Sequence, residues 1–72
     1  MSDMVWNRLD YGEGAELWRW DSKKGWQYTG YTVSKLGKVY RVEGPEGLEP
    51  GTYTKRGEAQ AEAERLAKEE GL

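Results

Sequence analysis

The sequence predicts an α+β fold, an antiparallel β-meander of three to four strands packed against one C-terminal amphipathic helix. Three observations support this prediction. Aromatic and β-branched residues alternate with polar ones through the middle of the 72-residue chain, as in strands with one buried face. Glycine-containing polar clusters separate these segments. Residues 55–70 combine strong helix formers with a narrow stripe of alanines.

The sheet is predicted over residues 15–54 of a single domain that spans residues 1–72. Alternation of side-chain type indicates strands at 15–20, 26–35 and 38–43, followed by a short final strand or edge segment at 52–54. Residues 44–51 contain three glycines and two prolines, which predicts a loop. Residues 1–13 lack a sustained pattern, so we expect an N-terminal arm or a single helical turn there.

The helix is predicted over residues 55–70, with Thr54 as the N-cap because its hydroxyl can accept from a free N–H of the first turn. A stripe at helical spacing should face the sheet, formed by Ala59, Ala63, Leu66 and Ala67. Because alanine side chains are small, the helix can approach the sheet closely. The aromatic residues of the sheet should then supply most of the core volume.

Composition argues against an enzyme. The chain contains no cysteine and no histidine, so thiolate chemistry, disulfides, imidazole catalysis and the commonest zinc ligands are excluded. The carboxylates lie mostly on the predicted helix or in loops, where a solvated surface is the expected role. An acid–base role for Glu43 or Glu46 is the remaining catalytic alternative. We expect no catalytic residue, no metal site and no cofactor.

The chain has no apolar run of the length that a membrane span needs and no signal-peptide pattern. We therefore expect a cytoplasmic protein without membrane contact. A small cysteine-free chain of this kind is typical of phage or bacterial proteins.

Charge is segregated along the sequence, and this pattern predicts the function. Residues 18–56 carry eight basic and four acidic side chains, whereas both flanking segments are acidic. Cations interleaved with tryptophan and tyrosine are the expected mixture for binding phosphates and bases. The sequence thus predicts a non-catalytic nucleic-acid-binding accessory protein, with DNA favoured, that uses a basic aromatic sheet face. The predicted contacts are Lys35, Lys38, Arg41, Lys55, Arg56 and Tyr31.

Residues 28–71 resemble three-stranded-sheet-plus-helix DNA-binding modules, namely the arm-site domains of phage integrases and the plant ethylene-response-factor domain. The resemblance lies in three segments and in the alanine-rich helix that follows them: Tyr28–Tyr31, Gly37–Val42 and Gly51–Arg56. It implies a sheet that enters the major groove and reads bases with Lys35, Lys38 and Arg41. The Thr-Lys step into the helix is also similar to the end of a double-stranded-RNA-binding domain and to a small bacterial domain of unknown function.

A protein partner is the alternative function. Exposed tryptophan, tyrosine and arginine are typical of binding hot spots, and a free sheet edge can add to the sheet of a partner. In this interpretation the chain is a phage or bacterial inhibitor or regulator of a host complex. A monomer and an edge-strand dimer are both compatible with the sequence.

Overall fold

The computed structural model describes residues 3–9 and 14–70, and it confirms the α+β meander with one C-terminal helix. The sheet has five antiparallel strands in chain order. These are β1 (Met4–Arg8), β2 (Ala15–Asp21), β3 (Gly25–Leu36), β4 (Val39–Gly44) and β5 (Gly47–Leu48). The helix α1 (Arg56–Glu69) packs across β3 and β4. It is not long and apolar enough to cross a membrane, and no other helix occurs among the described residues.

The helix covers one side of the sheet, which we call the covered face, and the core lies between them. The alanines of the helix stripe, Ala59, Ala63 and Ala67, are fully buried in this core, as predicted. The sheet supplies the larger side chains of this core, which are Met4, Leu17, Tyr31, Val33 and Val42. Trp6, Tyr40, Tyr53 and Leu66 pack around its margin. Close approach of an alanine face lets the sheet's larger side chains fill the space. The prediction that aromatic residues supply most of the core volume is wrong, because Tyr31 is the one ring among these buried sheet side chains.

Close packing in the sheet requires glycine at two positions. Gly44 lies beside the Tyr31 ring, and a Cβ at Gly44 would stand 2.9 Å from Tyr31 Cε1. Gly30 adopts φ +91° where the register between β2 and β3 shifts, and a Cβ there would stand 2.8 Å from Pro45 Cγ. A residue with a side chain would be strained at Gly30 and would collide at either position.

Several boundaries differ from the predicted ones. Part of the predicted arm is β1, an edge strand that pairs with β2, while residues 1, 2 and 10–13 of that arm lie outside the described residues. The predicted loop at 44–51 contains β5, and of the predicted segment at 52–54 only Tyr53 forms a bridge, to Tyr40. Short two-residue strands and edge strands carry too little alternation for the sequence pattern to reveal them.

The helix begins one residue later than predicted. Its N-cap is Lys55 rather than Thr54, and no side chain caps it. The Thr54 hydroxyl instead donates to Glu58 Oε1 at 3.4 Å. The Thr54 hydroxyl is therefore hydrogen-bonded to a side chain, and it does not cap the backbone N–H groups of the first helical turn.

The other side of the sheet carries no helix in the described structure, and we call it the open face. Strand alternation and register place on it the neighbours of each core residue, including Val5, Trp18, Trp20, Trp26, Tyr28 and Arg41. The alternation predicted for residues 26–33 is confirmed, because Thr29, Tyr31 and Val33 are buried and Trp26 and Tyr28 are exposed. The open face therefore exposes several tryptophan and tyrosine rings to solvent.

Candidate functional site

Two cross-strand pairs of aromatic rings dominate the open face of the β2–β3 hairpin. Trp20 lies opposite Trp26 with ring centroids 5.4 Å apart in an edge-to-face arrangement. Trp18 lies opposite Tyr28 at 5.6 Å with the rings tilted by 39°. The exposed fractions are 49% for Trp20, 44% for Trp26 and 45% for Tyr28, so each ring keeps nearly half of its surface available. We call these four rings the aromatic platform.

The hairpin turn fixes the aromatic platform in register. Asp21 Oδ1 accepts from the backbone N–H groups of Lys23 and Lys24 at 2.8 and 2.9 Å, and Gly25 supplies the positive φ of +80° that returns the chain. These backbone hydrogen bonds lower the pKa of Asp21, because they stabilise its carboxylate form. The turn thereby holds Trp20 and Trp26 directly opposite each other.

Two lysines lie in the turn at the end of the aromatic platform, and an arginine lies on the other face of the hairpin. Lys23 and Lys24 are exposed in the turn, and Arg19 pairs with Gln27 on the opposite face of the same hairpin. Arg19 Nε lies 4.0 Å from the Asp3 carboxylate in a partly exposed ion pair, which has little energetic weight. An open hollow of about 540 Å³ runs between these groups, lined by Arg19, Trp20, Asp21, Ser22, Lys24, Gln27, Tyr28 and Thr29. Positive charge and accessible rings therefore meet at this hairpin.

The open face continues from the aromatic platform toward the β3–β4 turn with polar residues. The Tyr28 hydroxyl and Thr32 Oγ1 are hydrogen-bonded at 2.6 Å, and Thr32 lies opposite Glu43 on β4. One step further along, Ser34 lies opposite Arg41. Polar side chains of β3 and β4 therefore lie next to the aromatic platform on the open face.

The structure divides the predicted contact residues between several surfaces. Lys35 Nζ and Arg56 Cζ lie 6.0 and 5.9 Å from the centroid of the same Tyr40 ring, on the side of the helix. Lys55 is exposed at the helix start and Lys38 is exposed in the β3–β4 turn. Arg41 lies on the open face. The single basic aromatic face assumed from the sequence therefore does not form from this set.

Tyr31 is removed from the candidate contacts. Its side chain has no exposed surface, because it lies under the helix on the covered face. Alternation along β3 placed Tyr31 and Tyr28 on opposite faces, but the sequence carried no sign of which face the helix covers. Of these two tyrosines, Tyr28 is the one whose ring is available to a ligand.

The basic and aromatic pattern of residues 18–56 includes the four platform rings, but the predicted contacts do not include any of them. Their positions are symmetric about Lys23 in the chain, since Trp20 and Trp26 are each three residues away and Trp18 and Tyr28 are each five away. In a hairpin centred on the turn, such symmetry makes cross-strand pairs. This spacing is the signal that would have identified the platform.

Two carboxylates on the helix surface form ion pairs with one arginine. Arg65 bridges Glu62 at 2.6 Å and Glu69 at 2.7 Å. The hydrogen bond from Arg65 lowers the pKa of Glu62. Within residues 3–9 and 14–70, no three acidic side chains converge as they would to hold a metal ion. The helix side therefore offers a solvated charged surface.

Comparisons of this chain with protein-family models, with curated proteins and with solved structures find no match.

Proposed function

We propose that this protein binds single-stranded nucleic acid, with DNA favoured, on the aromatic platform of the β2–β3 hairpin. The observation that carries the proposal is the coincidence of half-exposed rings with cations at one place. Two cross-strand pairs of rings lie on the open face, and Lys23 and Lys24 lie in the adjoining turn. The contact set thereby moves from the predicted strand and helix lysines to this hairpin.

Stacking supplies the first part of the binding energy. An exposed ring that stacks on a base contributes about 1–3 kcal/mol, whichever base it is. Trp20, Trp26 and Tyr28 already pack against neighbouring rings, which restricts their side chains before a ligand arrives. Rings that are held in place lose less conformational entropy on binding, so their contacts yield more net affinity.

Phosphate contacts supply the second part. Lys23 and Lys24 are exposed next to Trp20 and Trp26 in the hairpin, and among the described residues neither lysine forms an ion pair. Lysines that neutralise phosphates release counterions, so the affinity should fall as salt rises. A single strand fits this surface better than a duplex, because its bases are free to lie on the rings.

The test is quenching of tryptophan fluorescence by an oligothymidylate of about ten nucleotides, within the roughly 4–16 that small single-strand-binding domains cover. We expect quenching at low salt that weakens as salt is added. The double variant Lys23→Glu, Lys24→Glu should weaken binding at least about tenfold at low salt, because two phosphate contacts become repulsive. Lys68→Glu is the control, since Lys68 is exposed on the helix, and the two losses are compared per reversed lysine.

Three results would contradict the proposal. The first is an absence of quenching at low salt. The second is an equal loss of affinity per reversed lysine in Lys68→Glu and in the hairpin variant, because net charge rather than the hairpin would then govern binding. The third is a duplex that binds more tightly than the single strand, which would support the major-groove interpretation.

A protein partner is the second candidate function, and one observation favours it. A shallow hollow of about 330 Å³ beside the aromatic platform is lined by Val5, Asn7, Trp18 and Trp26. Val5 is 43% exposed, and Leu36 at the far end of the open face is 57% exposed. Aliphatic groups add nothing to base stacking, but they are usual at the centre of protein interfaces. Binding of a regulated protein on this face would be insensitive to salt, which separates it from the first proposal.

A further inference from the structure

The polar part of the open face contains two side chains with complementary hydrogen-bonding chemistry. Arg41 and Glu43 are two residues apart on β4, so both lie on the open face, about 6.6 Å apart along the strand at 3.3 Å per residue. Their strand neighbours on β3 are Ser34 and Thr32. One side chain offers only donors and the other, when ionised, only acceptors.

The fold does not use these two groups on each other. No ion pair joins Arg41 to Glu43 or to another carboxylate in the described part of the chain. Arg41 Nε is buried and has no hydrogen-bond acceptor among the described residues. Glu43 is exposed. Because Arg41 Nε is buried, a contact with a ligand falls to the terminal amino groups of this partly exposed side chain.

The pair is adjacent to the aromatic platform. The Tyr28 hydroxyl contacts Thr32 at 2.6 Å, and Thr32 lies directly opposite Glu43. A base that stacks on the Tyr28 ring therefore has its edge near Glu43, with Arg41 one step further along β4. The rings hold a base without regard to its identity, whereas the two charged side chains meet a particular pattern of donors and acceptors.

Guanine presents the pattern that fits. Its O6 and N7 are neighbouring acceptors, which a guanidinium contacts in a bidentate manner. Its N1–H and 2-amino groups are neighbouring donors, which a carboxylate accepts together. The N1–H edge is accessible only when the base is unpaired, in agreement with a single-stranded ligand. No other DNA base combines two adjacent acceptors with two adjacent donor groups.

We propose that Arg41 and Glu43 form a guanine-selective subsite next to the aromatic platform. This inference rests on the proposed function, because it assigns base selectivity to the same open face. The chain then binds single strands of any sequence through its rings and lysines, and it prefers strands with a guanine at the subsite.

The experiment compares an oligothymidylate of about ten nucleotides with the same strand carrying one central guanosine, by fluorescence quenching at one salt concentration. The guanosine should tighten binding at least about fivefold, the lower end of what one bidentate base contact contributes. Inosine lacks the 2-amino group and 7-deazaguanosine lacks N7, so each should lose part of this preference. Inosine reports on the Glu43 contact and 7-deazaguanosine on the Arg41 contact.

Two variants assign the preference to its residues. Glu43→Gln should remove most of the guanosine preference while binding of the oligothymidylate persists. Glu46→Gln is the matched control, because Glu46 is an exposed carboxylate in the adjacent β4–β5 turn and should leave the preference unchanged. Arg41→Lys keeps the positive charge but loses the planar fork, so it should also reduce the preference.

The outcomes separate this inference from the proposed function. Equal affinity for the strands with and without guanosine, with clear binding of both, overturns the guanine subsite and leaves the proposed function in place. A preference that survives Glu43→Gln also overturns it. Failure of both strands to bind overturns the proposed function and the subsite together.

Discussion

The two faces of the sheet are built from the same kinds of residue, yet they differ in burial. Leu17 and Tyr31 on the covered face are fully buried, whereas Leu36 and Tyr28 on the open face are 57% and 45% exposed. The helix contributes to this difference, because it packs on β3 and β4 on the covered face only. Aromatic content therefore does not identify a core or a binding surface in this fold until the position of the helix is known.

Leucine occurs on both faces, so one type of substitution tests how burial affects stability on each of them. Leu17→Ala should lower the free energy of unfolding by about 2–5 kcal/mol, because it leaves a cavity in a core of few side chains. Leu36→Ala should change it by less than about 0.5 kcal/mol, because that side chain is largely in water already. Urea unfolding followed by circular dichroism measures both.

A domain of this size buries only about 60% of its unfolded surface and has a small stability margin. Leu17→Ala is therefore expected to be partly unfolded at 25 °C without denaturant. If the two leucine variants lost equal stability, the open face would have to be covered in solution. Self-association through that face would be the first explanation to examine.

The second prediction concerns the rings of the aromatic platform. A double-mutant cycle with Trp20→Ala and Trp26→Ala should give a coupling energy of about 0.5–1.5 kcal/mol, the usual value for an aromatic pair. Since these rings pack on each other and are outside the core, the double variant should stay folded at low temperature. It should also lose most of its affinity for an oligothymidylate.

The same double-mutant cycle tests whether the rings of the open face stabilise the fold or bind a ligand. A double variant that is unfolded would show that the open-face rings are structural, and that their exposure does not mark a binding surface. A folded double variant with unchanged oligonucleotide affinity would instead contradict the proposed function. Leu36→Ala serves as the control for both readouts, because Leu36 is on the same face but outside the platform.

The fold was predictable because its central elements carry local signals. The alternation in residues 15–43 and the alanine stripe of the helix are strong enough to identify β2, β3, β4 and α1. The edge strand β1 carries no such signal, since its stabilising partners are distant in sequence. Trp6 Nε1, for example, donates to Glu64 Oε2 at 2.8 Å, across 58 positions of the chain.

The site was predictable only in its chemistry. Basic and aromatic residues were identified as a nucleic-acid pattern, but their distribution over surfaces depends on register and on helix position. Lys35 and Arg41 are on adjacent strands, yet the pairing of Lys35 with Tyr40 and of Ser34 with Arg41 places them on opposite faces. A shift of one residue in register exchanges the faces, so the distribution depends on the turn that sets the register between β3 and β4.

A small effect at neutral pH is expected for the hydroxyl of Tyr31. This hydroxyl is buried without a hydrogen-bond partner of good geometry among the described residues. Tyr31→Phe should therefore change the free energy of unfolding at pH 7 by less than about 1 kcal/mol, and a small gain is as compatible with the geometry as a small loss. The ring itself, which fills the space beside Gly44, is retained.

Alkaline pH should make the same hydroxyl important. Burial raises the pKa of Tyr31 above its ordinary value of 10.0, and the nearby Glu70 carboxylate raises it further because it disfavours a second negative charge. The pKa is thus higher in the folded state than in the unfolded state. The neutral phenol supports the fold fully below pH 10.0, and this support is lost as the pH rises above that value toward the folded-state pKa.

Tyr31→Phe should consequently lose less stability than the wild type when the pH is raised through 10.0, as measured by urea unfolding on both sides of that pH. Leu36→Ala, which removes no ionisable group, should keep the alkaline loss of the wild type. An unchanged alkaline loss in Tyr31→Phe would show that another group controls it. A reduced loss would show that the core around the Tyr31 hydroxyl, beneath the helix, disfavours a negative charge.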